Sequence, residues 1–462
     1  MLAGQLHTLG GTSQFIAACL PLQRNEAARH GGRRNTCIPE RIGRLPQAVP
    51  GCAEHERTIW TGPRRRARFM VMTEGHLSAI AKAPTGQTVI VTGAAGFIGS
   101  HTCEALLRRG DNVVAIDSFT PHYDPARKHA NLASVQATAD AIWHEAGPSA
   151  PKYAFLEADC CRADDLDRAF QIGATFSAGT PVRRMIHLAG RAGVRAPASE
   201  APNYVAMNVV ATTEVLEACR RHGFGDRADA GSPVDQWGTG QGVPIVGHLA
   251  MASSSSVYGG GPPGWKGPFH EDMPADRPLS VYAATKRATE VIAHAYTRVS
   301  NLRVTCLRFF TVVGPRARPD LTPSMFGSAI WEGRPITQFG DGSMARDYTF
   351  VGDTVTGILA SLDRFERANE GIVEHGEEYE VINLGNDRPI TLSQYISTLA
   401  GLLDRTPVIN QVPVPPSEPH STWADLTKAR RLLAYAPATP FEEALASFVD
   451  WYRATILEQT GA

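Results

Sequence analysis

Tyr282 and Lys286 stand four residues apart in the run Tyr282-Ala283-Ala284-Thr285-Lys286. On a helix that spacing puts a phenol and an ammonium on one face. The ammonium and a positively charged nicotinamide nearby would both favour phenolate, so the phenol pKa is expected to fall, and phenolate can take a proton from a substrate hydroxyl. A hydroxyl partner is available upstream in Ser253-Ser254-Ser255-Ser256, where Ser254 can hydrogen-bond the same substrate group and help the proton move. A tyrosine and a lysine at this spacing also occur on ordinary amphipathic helices. The pair gains meaning only from its surroundings.

The surroundings that matter most are Thr88 to His101, TVIVTGAAGFIGSH. A β-branched run, Thr88 to Val91, leads into Gly93, Gly96 and Gly99, spaced G-x-x-G-x-x-G, and then into a helical run closed by Gly110. Strand, glycine turn and helix N-terminus make a cradle for a pyrophosphate, because the backbone can come close and the helix end carries partial positive charge. Gly93, Gly96, Phe97, Ile98 and Gly99 are the expected cofactor contacts. A second strand, Asn112 to Ile116, ends at Asp117, 18 residues after Gly99. A carboxylate there accepts from ribose hydroxyls and repels a 2′-phosphate, which favours NAD over NADP. With a nicotinamide in reach, the proton taken by Tyr282 can be matched by a hydride leaving the same carbon.

These groups need a scaffold. Tyr153 to Leu156 reads as a third strand running out near Asp159, followed by a short helix over 164–172. Met185 to Gly190 reads as a fourth strand whose end, Leu188-Ala189-Gly190, is small enough to admit the cofactor closely. Tyr204 to Arg221 has helical periodicity, Leu249 leads a fifth strand into the serine cluster, Ser280 to Val299 is the helix of Tyr282, and Leu302 to Phe310 is a sixth strand. Residues 118–152 read as a polar crossover, and 223–247 as a surface insertion. This alternation calls for an α/β fold, a doubly wound parallel Rossmann sheet over 85–310. The shorter, mixed segments of 311–462 read as a smaller substrate-binding domain, with part of 346–387 returning to the first. They include a helix over 325–331, a strand over 379–384 and a last helix over 441–457.

Composition excludes several other classes. A formal net charge of −1 gives no electrostatic case for nucleic acid,. Eight cysteines without a C-x-x-C, including adjacent Cys160 and Cys161, read as reduced thiols and give no metal site,. No apolar run approaches the ~20 residues of a membrane span. Residues 1–84 hold many arginines, no aspartate and no lysine before Lys82. They read as a start assigned too early, with Met70 or Met72 the initiator, or as a disordered tail, or as an organelle transit peptide. A cytoplasmic protein is expected, with organelle targeting left open.

Taken together, the motifs resemble the extended short-chain dehydrogenase/reductase family, and within it the UDP-glucuronate 4-epimerases. The stretches that carry the likeness are TGAAGFIGSH, HLAGRAGVR, ASSSSVYG, LSVYAATK, LRFFTVVGPRARPD and ARDYTF. The resemblance runs from about residue 86 onward and does not cover 1–84 or 223–247. It implies bound NAD, a UDP-sugar substrate and a homodimer. By position it implies that Ser254, Tyr282 and Lys286 are catalytic, with Lys286 also on the nicotinamide ribose. It places Asp159 at the adenine edge, Asn208 near the cofactor and Arg346 on the diphosphate. Thr311 and Arg318 would reach the sugar, with Ser255 and Ser256 donating hydroxyls to its C5 carboxylate.

Two stretches depart from the family pattern. Ala211 stands where the helix of Asn208 usually has glycine, and Pro419 to Asp425 lacks the usual arginine, so a second diphosphate contact stays unassigned. Related 4,6-dehydratases and UDP-glucuronate decarboxylases usually carry an acid where this chain has Ser255 and Ser256. UDP-galactose 4-epimerases usually carry asparagine where it has Thr311. Decarboxylase and UDP-galactose epimerase remain the alternative enzymes, and a dinucleotide sensor or scaffold the non-enzymatic one.

Overall fold

The computed structural model describes residues 86–225, 247–262, 264–415 and 419–457. The expectations for 1–84 and for most of the 223–247 insertion fall outside these residues. The first strand, β1 (Thr88–Thr92), is buried along its whole length. Val89 and Val91 enter one apolar cluster and Ile90 the opposite one. That two-residue alternation marks a strand covered on both faces. Next comes α1 (Phe97–Arg109), ended by Gly110 in the left-handed conformation at φ 97°, and then β2 (Asn112–Asp117).

The expected polar crossover at 118–152 is corrected here. Pro125–Ala146 is a 22-residue helix, α2. Asp124 caps it by accepting from Ala126 N at 2.9 Å, and Pro125 opens it. Only Lys128, Asn131 and Val135 are buried. There is no amphipathic stripe to read, and the cap and the alanine-rich composition carry the helix instead.

The alternation continues with β3 (Tyr153–Glu157), α3 (Ala163–Phe176) and β4 (Arg184–His187). The helix expected over 204–221 begins earlier and is interrupted. An α turn, Ala201–Tyr204, and a π turn, Val205–Val210, precede α4 (Ala211–Arg221). Then follow β5 (His248–Ser254), α5 (Val281–Ser300) and β6 (Arg303–Phe309). The later elements are β7 (Thr311–Val313), α6 (Thr322–Trp331), β8 (Ile336–Phe339), β9 (Ala345–Phe350), α7 (Val351–Leu362) and α8 (Arg364–Asn369). They continue with β10 (Tyr379–Leu384), β11 (Pro389–Thr391), α9 (Leu392–Leu403), β12 (Ile409–Val412), β13 (Ser421–Thr422), α10 (Thr427–Leu433) and α11 (Phe441–Tyr452).

Seven strands form one parallel sheet in the order β10-β6-β5-β4-β1-β2-β3. The chain therefore forms a doubly wound α/β sheet. Residues of α1, α2 and α7 cover one face and residues of α3, α4 and α5 the other. The strand order reverses between β1 and β4, which opens a crevice at their C-terminal ends. A third cluster joins β7, β9, α6, α9 and α11 and takes in Phe97 from α1. Around it lie the smaller sheets, β11-β9-β13 with β7 on β9, and β12-β8.

Candidate active site

The glycine turn sits at this crevice. Gly93 has φ +69°, and a Cβ there would lie 2.7 Å from Ala189 N. A Cβ on Gly99 would lie 2.1 Å from Gly93 O, and one on Gly96 3.1 Å from it. Backbone packing alone therefore excludes side chains here, and α1 starts with no side-chain cap on its first N–H groups. These features fit a dinucleotide pyrophosphate. Phe97 is buried in the third cluster and Ile98 packs beside it, so what these two residues can offer a cofactor is backbone N–H. Asp117 is nearly buried, and its Oδ2 accepts from Ala95 N at 3.2 Å. Its Oδ1 accepts from Phe119 N at 2.9 Å and from Lys128 Nζ at 3.3 Å. The Lys128 partnership was not legible in the sequence, because it depends on α2.

Asp159 lies exposed beyond β3 and accepts from Cys161 N at 2.9 Å, an Asx turn leading into α3,. Leu188 N and Ala189 N donate to Thr92, to its carbonyl and hydroxyl respectively, each at 3.2 Å. Gly190 has φ +154°, and a Cβ there would meet Asn208 Oδ1 at 2.9 Å and Lys286 Nζ at 3.5 Å. Asn208, in the π turn, accepts from Arg191 N at 2.7 Å. It donates to Arg191 O at 3.0 Å and Thr285 Oγ1 at 2.9 Å. It clamps the β4 loop to α5, and the π turn aims it there.

Ser280 caps α5 through Ala283 N at 3.1 Å, so Tyr282 and Lys286 fall in its first two turns. Lys286 Nζ donates to Ala252 O at 2.8 Å, and burial pushes its pKa down to about 8. The Ser254 hydroxyl bears on the Tyr282 phenol, and burial pushes the Tyr282 pKa up, against the lowering effects of Ser254 and the Arg318 charge. The ammonium of Lys286 is aimed at the β5 carbonyl, so the favourable charge beside the phenol comes from another loop. Ser254 Oγ accepts from Ser256 Oγ at 2.8 Å and Ser256 N at 3.2 Å. Ser255 opens the 3-10 turn Ser255–Tyr258 and is half-buried.

Arg318 reaches this cleft from the loop after β7. Its Nε and Nη2 donate to the two Asp320 oxygens at 2.9 and 3.0 Å. It bears electrostatically on both Tyr282 and Tyr123. Thr311 opens β7, paired in register with Tyr348 of β9. Arg346 of β9 donates to Ala345 O at 2.8 Å and His420 O at 3.3 Å. It lines a cavity of about 420 Å³ with Arg195, Phe339, Met344, Tyr348 and Leu392. Arg195 lies over the Phe339 ring at 5.8 Å. The stretch left unassigned in the sequence, Pro419 to Asp425, supplies β13, which pairs with Ala345 and Arg346.

Sequence reasoning missed Glu290, which is fully buried behind the site. It accepts from Ser253 Oγ at 2.6 Å, from Arg308 through both oxygens at 2.8 Å, and from Arg287 at 2.9 Å. Its place four residues after Lys286 on the same helix was a usable signal. His122, Tyr123 and Asp320 were missed as well, because loops from distant parts of the chain bring them together.

The geometry agrees with what the chain resembles. Residues 89–385 match the model of the NAD dependent epimerase/dehydratase family. UDP-glucuronate 4-epimerase 3 of Arabidopsis thaliana is 33% identical over 399 residues, 85% of this chain and 81% of that protein. The UDP-glucuronate 4-epimerase of Thermodesulfobacterium geofontis is 33% identical over 79% of this chain and 96% of its own length. The crystal structure of UDP-glucuronic acid 4-epimerase from Bacillus cereus, in complex with UDP-glucuronic acid and NAD, superposes with a TM-score of 0.62. It is 30% identical and covers 80% of this chain and 99% of that one. With a parallel sheet whose switch point carries the glycine turn, and a family match spanning most of the described chain, this protein belongs to the NAD dependent epimerase/dehydratase family.

Proposed function

We propose that the protein is an NAD-dependent UDP-sugar 4-epimerase acting on UDP-glucuronate to give UDP-galacturonate through a transient 4-keto sugar. The observation that carries this reading is the meeting of the Tyr282 phenol, the Ser254 hydroxyl and the Arg318 charge in one cleft. NAD, when bound, supplies a hydride acceptor and donor for the sugar C4. Gly93, Gly96 and Gly99 leave room for it, the first N–H groups of α1 meet its pyrophosphate, and Asp117 meets its ribose. Leu188 to Gly190 would line its approach, Asp159 would meet its adenine edge, and Asn208 would hold the β4 loop beside it. Tyr282 Oη takes the C4 hydroxyl proton and later returns it, and Ser254 steadies that proton. Lys286 holds the strand end through Ala252 O and faces the nicotinamide ribose.

Arg346, in the cavity beside β9, is assigned to the diphosphate. Thr311, Ser255 and Arg318 are assigned to the sugar, with Arg318 on the carboxylate, because a guanidinium edge can meet both carboxylate oxygens, and Ser256, which donates to Ser254, is assigned to the support of Tyr282. Holding the carboxylate matters to the product. A 4-keto uronic acid is a β-keto acid, and it loses CO₂ most readily when the bond to the carboxylate stands perpendicular to the ketone plane. Ser255 and Ser256, where an acid would assist dehydration or decarboxylation, favour epimerisation. The test is separate incubation with UDP-glucuronate, UDP-glucose and UDP-xylose, with products identified by NMR. UDP-galacturonate from the first supports the reading, a UDP-pentose indicates a decarboxylase, and turnover of UDP-glucose alone indicates a UDP-galactose epimerase. No turnover of any UDP-sugar indicates a sensor or scaffold.

The homodimer reading is supported by exposed Val205 and Val210 on the π turn and Val291 on the adjoining α5, an apolar face that a second copy would cover,. Cys103, Cys160, Cys161, Cys219 and Cys306 are free thiols, which fits the reducing cytoplasm,. Among the described residues no helix is long and apolar enough to cross a membrane.

A further inference from the structure

Three cations bear electrostatically on the imidazole of His122 from other elements: Arg318 from the loop after β7, Arg191 from the loop after β4, and Lys128 from α2. Each has a carboxylate of its own. Asp320 takes Arg318 through two hydrogen bonds, Glu200 lies 2.8 Å from Arg191, and Asp117 lies 3.3 Å from Lys128. These pairs sum to no net charge. An anionic sugar therefore meets guanidinium N–H groups here without net positive charge from the pairs. His122 is the remaining titratable group. Its Nε2 is buried and has no hydrogen-bond partner among the described residues, and its ring lies edge-on to Tyr123 at 6.1 Å between centroids. A buried polar atom without a partner is costly unless something else supplies one.

We propose that His122 is a specificity-determining residue whose Nε2 receives the carboxylate of the sugar acid beside Arg318, so that recognition of the acid is coupled to protonation of the imidazole. The proposal rests on the epimerase reading for the identity of the acid. Asp320 occupies Nε and one N–H of Nη2, which leaves Arg318 its two Nη1 hydrogens and the second of Nη2,. That edge and an imidazolium together give a carboxylate donors and the missing positive charge. Without ligand, burial and then the Arg318 charge hold the His122 pKa below its ordinary value, against the pull of Asp320. The ring is then mostly neutral at pH 7. A carboxylate placed against it raises the pKa, so the acid binds with proton uptake and binds better as pH falls. A neutral sugar does neither.

The test uses the NAD-loaded protein and two variants, His122→Gln, which hydrogen-bonds without titrating, and His122→Arg, which is permanently charged. Calorimetric titration with UDP-glucuronate at pH 7, in buffers of different ionisation heat, should show uptake of part of a proton by the wild type and none by either variant. The ratio of kcat/KM for UDP-glucuronate to that for UDP-glucose should rise about fivefold from pH 8 to pH 6 in the wild type. It should be low and flat in His122→Gln, and high and flat in His122→Arg. Equal proton uptake, or an equal pH slope, in wild type and His122→Gln overturns the assignment of His122 while leaving the epimerase reading standing. Proton uptake confined to the wild type, with no UDP-galacturonate formed, overturns the epimerase reading and leaves His122 standing. Failure of the folded protein to bind UDP-glucuronate overturns both.

Discussion

The hydroxyl of Ser256 donates to Ser254 across 2.8 Å, and the Ser254 hydroxyl in turn bears on the phenol of Tyr282. By resemblance Ser256 belongs on the substrate carboxylate. In the structure it stands behind Ser254 and Tyr282, where its donated bond leaves the single Ser254 hydrogen free to turn toward Tyr282. The two roles differ in what a mutation changes. With Ser256→Ala, loss of this support should lower kcat about fivefold, in line with one hydrogen bond of about 1 kcal/mol, and leave KM for UDP-glucuronate nearly unchanged. A raised KM at constant kcat would put Ser256 on the carboxylate instead. Steady-state kinetics with UDP-glucuronate distinguishes them.

Tyr282→Phe should keep NAD and UDP-sugar binding and lose turnover by ~10²–10⁴-fold, the usual contribution of a general acid–base group. Ligand binding by calorimetry and product formation by NMR read the two properties separately. Retention of more than about a tenth of kcat would remove Tyr282 from the proton-transfer role.

Arg318→Ala removes the guanidinium and leaves Asp320 without its partner. Turnover of UDP-glucuronate should weaken by ~2 kcal/mol or more, while UDP-glucose turnover changes less, because only the acid needs the donors. Looser holding of the carboxylate should also release some UDP-pentose, detectable by NMR. Parallel losses on both sugars would show that Arg318 supports the cleft and does not select the acid.

Glu290 gives a prediction about stability. Burial opposes its charge, but hydrogen bonds and charge from Arg308, with help from Ser253 and Arg287, outweigh burial and hold its pKa below the ordinary 4.5. A depressed folded-state value means this contribution is present above the unfolded pKa and is lost as pH falls through the folded one. The wild type should therefore lose stability below about pH 4.5. Glu290→Gln should be destabilised by about 3–5 kcal/mol at pH 7, because Arg308 is left buried without its counter-charge, and its acid-side loss should be smaller. Thermal unfolding across pH 3–7 measures both.

What the sequence determined by itself was local. A buried β-branched run, a glycine turn and the helix after it follow from residue type alone, since only glycine fits where a Cβ would strike Ala189 N or Gly93 O,. The strand alternation follows from periodicity, and Tyr282 meets Lys286 on one helix face through their spacing. Where periodicity was absent, as along α2, the helix was illegible although its cap at Asp124 was in plain view. The short strands β7, β8, β9, β11, β12 and β13 were illegible for another reason. Segments of two to six residues carry too little pattern, and they exist because they pair with one another,.

Tertiary structure alone decided which charges and hydroxyls meet. Asp117 acquired Lys128 because α2 folds back beside β2. Arg318 and Asp320 lie two residues apart, but their pairing beside Tyr282 and His122 depends on two loops meeting the start of α5. It also decided the state of the Tyr282 phenol. Spacing put an ammonium on its face of α5, but burial and the aim of Lys286 toward Ala252 O set its proton affinity. A pKa answers to every charge and every layer of solvent removed within several ångströms, and neighbours at that range come from the whole fold.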